Sequence, residues 1–191
     1  MGSDKTAEEY EKWLRVITLL HHAGNIACKY VFHDKGKIPD NGNRLYEHLL
    51  LNERDLKRKC RQEQLELIYP KNKITDTSKW DITLFTCVIH IIFGHDKYYK
   101  DFIDELRDYR NSFFHKGTVQ MSQDEFNEDW DKISKFFVRY GVEQSDIDTM
   151  KTCNLDLNQN YSNAYSEAKA FEKEMKKRNI IQKGMHQIHF P

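Results

Sequence analysis

The chain has 191 residues, of which 39% are apolar, 13% aromatic and 31% charged, with only 8 glycines and 3 prolines. That composition supplies one ordinary core and argues against disorder, while leaving little room for two full domains. Lys plus Arg and Asp plus Glu both number 30, so no global field draws the chain to nucleic acid or to an anionic membrane, and any RNA affinity has to come from a local patch.

Four cysteines, Cys28, Cys60, Cys87 and Cys153, are far apart in sequence and form no C-x-x-C pair, which argues against both a zinc knuckle and a redox motif. No signal peptide and no apolar run of transmembrane length is present; "TLFTCVIHIIF" is too short. The expectation is a cytoplasmic protein with free buried thiols, no membrane contact, no metal and no cofactor. The opening "MGSDKT" formally fits the M-G-x-x-x-[ST] acylation pattern, but a vector-derived leader begins the same way and is the plainer reading.

The predicted elements are all helices. Thr6 with Glu9 has the form of a capping box, S/T-x-x-E/D, and opens the first, in which Trp13, Val16, Ile17, Leu20, Ala27, Cys28 and Val31 follow at helical spacing as far as Phe32. "DKGKIPDNGN" is a loop. Leu45, Leu49 and Leu56 mark a second helix, broken before Leu65 and ended by Pro70. Ser78 with Asp81 caps a third, "ITLFTCVIHIIFG", apolar nearly all round and so expected to be the most buried element.

A fourth helix runs from about Lys97 to Lys116, with Tyr99, Phe102, Ile103, Leu106, Tyr109 and Phe113 as its core stripe and Gly117 at its end. Ser122 with Glu125 makes a third box, flanked by a staple of Met121 with Phe126; Trp130, Ile133, Phe137 and Tyr140 continue the inner face of the fifth helix. After a polar stretch, Tyr161 to about Asn179 reads as a last amphipathic helix. The reading is an all-α antiparallel bundle of four to five helices over 1–145, with a C-terminal linker and helix over 146–191.

Within "LRDYRNSFFHKG", Arg110 falls seven residues after Ile103 and four after Leu106, at the border of the core face at ~100° per residue. A guanidinium there needs an anion or hydrogen-bonding partner. Asn111 and His115, four apart, share a neighbouring face. These are the parts that metal-independent RNA cleavage requires: an imidazole titrating near pKa ~6.5 for proton transfer, a guanidinium for the phosphate, and an amide to orient them. One copy holds one His115 for two proton transfers, so a two-fold dimer would supply the second. An interhelical salt bridge for Arg110 and a simple cap for His115 explain the same residues without chemistry.

Two basic runs stand out: Arg54, Lys57, Arg58, Lys59 and Arg61, and Lys173, Lys176, Lys177 and Arg178. A solvated face is the plain reading of both; Arg54, Lys57 and Arg58, with Lys116 beside the motif, are the candidate RNA or phosphate contacts. His21 with His22 and His90 with His95 have no metal-ligand spacing and are expected to be hydrogen-bonded or solvated, as are His186 and His189 in the polar tail.

"YRNSFFH" resembles the R-x(4–6)-H signature of HEPN domains. "SKWDITLFTCVIHIIFG" followed by "FIDELRDYRNSFFHKGTVQMSQDEFNEDWDKI" is similar to the HEPN subfamily named for the DAZ-interacting zinc-finger ubiquitin ligase, over roughly Tyr10 to Met150. The resemblance implies a helical bundle dimerising through the motif helix. It further implies endoribonuclease chemistry leaving a 2′,3′-cyclic phosphate, with Arg110, Asn111 and His115 as active residues, and a setting such as ubiquitin ligation or innate immunity. Three functions stay open: a dimeric nuclease on single-stranded RNA, a non-catalytic module for protein partners, and a nucleotide or anion pocket.

Overall fold

The computed structural model describes residues 2–115, 119–156, 158, 163–170 and 173, with the backbone alone for 2–5, 114 and 115. The helices are α1 (Gly2–Lys29), α2 (Asn43–Leu50), α3 (Glu53–Lys59), α4 (Gln62–Ile68), α5 (Ile82–Phe93), α6 (Lys97–His115), α7 (Gln123–Arg139) and α8 (Gln144–Thr152), and residues 163–170 are again helical. Among the described residues the fold is all-α apart from two short strands, β1 (Asn41–Gly42) and β2 (Thr75–Asp76). The chain divides into two compact units, one of residues 24–107 and one that joins 1–23 to 108–191.

In the continuous unit, Tyr30–Lys35 leave α1 as a π-helical turn. Its ring Phe32 packs with Trp80 and Phe85, the three centroid distances being 5.7, 6.1 and 5.2 Å. Gly36 follows the turn, and a Cβ there would lie 2.4 Å from the Phe32 carbonyl and 2.7 Å from the Phe93 ring. β1 and β2 pair antiparallel with Asn41 opposite Asp76, and the Asn41 side-chain oxygen accepts from the Thr77 amide at 2.8 Å. Thr75 donates to the Ile68 carbonyl at 2.8 Å, so the strand holds the end of α4. The predicted second helix is therefore three short ones, separated at Leu51–Asn52 and at Cys60–Arg61.

Two expected caps move. α1 is already helical before Thr6, so the box at Thr6 and Glu9 opens nothing. At α5 the cap is Asp81, accepting from the Leu84 amide at 2.7 Å, while Ser78 lies in a 3-10 turn that Asp76 caps. Burial of α5 is one-sided as well: Ile82, Leu84, Phe85, Val88 and Ile89 are buried, but Thr83 and His90 are exposed and Ile91, Ile92 and Phe93 only half covered.

The second unit is built on the first part of α1, where Trp13, Leu14, Val16, Leu19 and Ala23 are fully buried. α7 begins as expected: Ser122 accepts from the Glu125 amide at 3.3 Å, Glu125 accepts from the Ser122 amide at 2.9 Å, and Met121 and Phe126 on either side are buried. Phe126, Trp130, Ile133, Phe136 and Phe137 form its inner face. Arg15 donates to the carbonyls of Met150 and Cys153 at 3.0 and 2.9 Å, closing the end of α8 against α1. His22 Nε2 lies 2.9 Å from Asp146 and His21 Nδ1 3.0 Å from Glu167, which ties α8 and the 163–170 helix to the same α1 turn. Of the last predicted helix, Ala164 and Ala168 are buried; Tyr161, Phe171 and Met175 lie outside the described residues.

Candidate functional site

The motif sits on α6. Asp96 accepts from the Tyr98 amide at 2.8 Å at its start, and ion pairs one turn apart, Lys97 with Asp101 and Lys100 with Asp104 at 2.9 Å, line its outer face. Phe102, Ile103, Leu106 and Phe113 are buried, with Tyr99 and Tyr109 at the margins. This is the expected stripe.

Arg110 is half-buried on the border of that stripe. Among the described residues it makes no hydrogen bond and no ion pair, whereas Arg107 one turn earlier lies 3.6 Å from the Asp104 carboxylate. The simple account of Arg110, a salt bridge to a neighbouring helix, therefore finds no described partner. Its guanidinium keeps its hydrogen-bonding capacity with respect to the described residues. Asn111 is exposed beside it, and Ser112 folds back to donate to the Tyr109 carbonyl at 2.7 Å. The backbone of His115 is the last residue of α6; its side chain, Lys116 and Gly117 lie outside the described residues.

The other candidate contacts belong to the other unit. Arg54, Lys57 and Arg58 are exposed on α3, where Lys57 meets Glu53 at 2.7 Å and Arg58 meets Asp55 at 3.2 Å. They form a solvated, largely self-neutralised face. Arg58 and Lys59 also line an open cleft of about 230 Å³ between α3 and α5, closed by His90, Ile91, Gly94 and His95. Spacing within either run could not disclose this meeting, because it joins segments thirty residues apart.

The histidine expectations divide. His21 and His22 are each held by a carboxylate, and His33 has its ring nitrogens 3.3 Å from the Ile38 carbonyl and 3.2 Å from the Thr77 hydroxyl. His90 and His95 are exposed in the cleft, and His186 and His189 lie outside the described residues. The thiols differ from expectation: Cys28 and Cys60 are buried, but Cys87 and Cys153 are half-exposed, and the Cys60 and Cys87 sulfurs lie 3.6 Å apart. Burial, then the hydrogen bond with Cys87, pushes the Cys60 pKa up to about 12. Among the described residues no group of three or more His, Cys, Asp or Glu is placed to hold a metal ion, and no helix is long and apolar enough to cross a membrane.

The fold is all-α, its long motif helix carries R-x(4)-H at its end, and the arginine at the core edge has no partner among the described residues. The family described as DZIP3/hRUL138-like HEPN matches residues 94–163, and the chain carries a HEPN domain of that subfamily. The match takes in α6, α7 and α8, a narrower span than the resemblance read from the sequence. Comparison with the curated proteins and with the solved structures gave no match.

Proposed function

We propose that this HEPN domain is a dimeric, metal-independent endoribonuclease acting on single-stranded RNA in the cytoplasm, with Arg110, Asn111 and His115 as its working residues. The observation that supports this most is Arg110: a half-buried guanidinium with no hydrogen bond or ion pair among the described residues, on a helix whose other cations are paired. A phosphodiester oxygen is the partner such a group lacks.

The reaction needs two imidazoles. One takes the 2′-hydroxyl proton as the 2′-oxygen bonds to phosphorus; the second, as imidazolium, gives its proton to the departing 5′-oxygen as the old P–O bond breaks. The product is a 2′,3′-cyclic phosphate. Arg110 stabilises the charge that gathers on the phosphoryl oxygens, and Asn111 orients a proton carrier. The second His115 comes from a second copy through the motif helix.

His115→Ala should lower cleavage of single-stranded RNA by about 10² to 10⁴ fold, with circular dichroism and sedimentation unchanged. Cleavage that persists in His115→Ala, or that stops when divalent ions are chelated, would remove the proposal.

A second reading rests on a different observation. Net charge is zero and most described cations on α3 and α6 face a carboxylate, so these two helices present no broad basic surface among the described residues; that suits a module that assembles protein partners in signalling or defence. The same preparation separates the two: no RNA shift at low salt together with intact dimerisation supports the module.

A further inference from the structure

Cys60 and Cys87 come from different helices and meet. Cys60 is the residue that ends α3, its amide donating to the Leu56 carbonyl at 2.9 Å, and its backbone is extended where the chain turns into α4. Cys87 lies on α5, half-exposed, with its sulfur 3.6 Å from that of Cys60. Two thiols in van der Waals contact need a further approach to a bond length of about 2.05 Å. Cys60 stands where α3 gives way to extended backbone, and the approach has to be made at that junction. The remaining thiols differ: Cys28 is buried within α1, and Cys153 belongs to the other unit.

We propose that Cys60 and Cys87 form a reversible intramolecular disulfide when the chain meets a small-molecule disulfide such as oxidised glutathione, joining the two walls of the cleft that Asp55, Arg58, Lys59 and His90 line. α3 carries Arg58 and Lys59 on one wall and α5 carries His90 on the other, so the crosslink fixes the cleft's width. The step goes in two exchanges. The half-exposed Cys87, as its thiolate, attacks one glutathione sulfur, forming a mixed disulfide and releasing a glutathione thiolate. Cys60 then gives its proton to that thiolate and attacks the Cys87 sulfur, expelling the second glutathione. Two protein thiols and one oxidised glutathione become one protein disulfide and two reduced glutathiones. Burial keeps Cys60 protonated, which makes the second exchange the slow one and Cys87 the entry point.

The test incubates the folded chain in glutathione buffers of graded redox ratio, blocks free thiols by alkylation and maps peptides by mass. The expected result is a Cys60–Cys87-linked peptide, two hydrogens lighter than its reduced parts, whose fraction follows the redox ratio and vanishes with dithiothreitol. Closing that loop should raise the melting temperature by roughly 5 to 10 °C. Cys60→Ser should stop at glutathione on Cys87. Because Cys60 is buried, Cys87→Ser provides a variant at the more tolerant position, and in it no crosslink should appear. Glutathione left on Cys87 in the unmutated chain at equilibrium, a bridge to Cys28 or Cys153, or a Cys60–Cys87 bridge formed only in denatured chain would each overturn the proposal.

Discussion

Gly141 has φ of 84°, a left-handed conformation that costs a residue with a Cβ about 1 to 2 kcal/mol. It ends α7: its amide bonds to the Val138 carbonyl at 3.2 Å, and the Val142 amide to that of Phe137 at 3.0 Å, with Phe137 and Val142 both buried. Gly141→Ala should lower the urea midpoint by an amount corresponding to about that cost without changing the secondary structure; an unshifted midpoint would mean that the turn relaxes freely. The sequence marks this position, since a glycine after an apolar stripe is a local signal. It also places Arg110 at a core edge, because the seven-residue step from Ile103 is local. Whether Arg110 finds a partner is decided by other elements, as is the meeting of Cys60 and Cys87, and no spacing rule reports either.

Helix starts show the same division. The box at Ser122 is legible because both of its hydrogen bonds close within three residues, and Ser122→Ala should destabilise the fold by about 1 kcal/mol, measured by thermal or urea melting. Ser78 with Asp81 has the same letters and fails, because Asp81 itself accepts from Leu84 and a 3-10 turn takes up Ser78. α1 continues into a π-helical turn where periodicity predicts only a helix's end; the wider turn leaves the apolar spacing intact and so leaves no mark on it. The paired strands are two residues each, too short for alternation to register.

Across the molecule, distant segments are held to α1 by polar side-chain contacts. Glu167 is kept below the usual carboxylate range chiefly by its hydrogen bond with His21, with burial acting the other way. A folded value below the unfolded one means stabilisation that is present above about pH 4.3 and lost as pH falls through the folded value. Glu167→Gln should therefore flatten the acid limb of stability, followed as urea midpoints from about pH 6 down to about pH 3. An identical limb in the variant would show that the His21 contact contributes nothing.

The bonds from Arg15 to carbonyls at 150 and 153, and from the Met121 amide to the Glu9 carbonyl, span most of the chain. A ribosome delivers the 24–107 stretch whole before it makes the residues that α1 must grip, so that stretch has the means to settle first while the early turns of α1 wait with their apolar side uncovered. Nascent chains stalled short of Met150 would then offer chaperones a sticky amphipathic rod, and synthesis beyond the α8 residues would withdraw it.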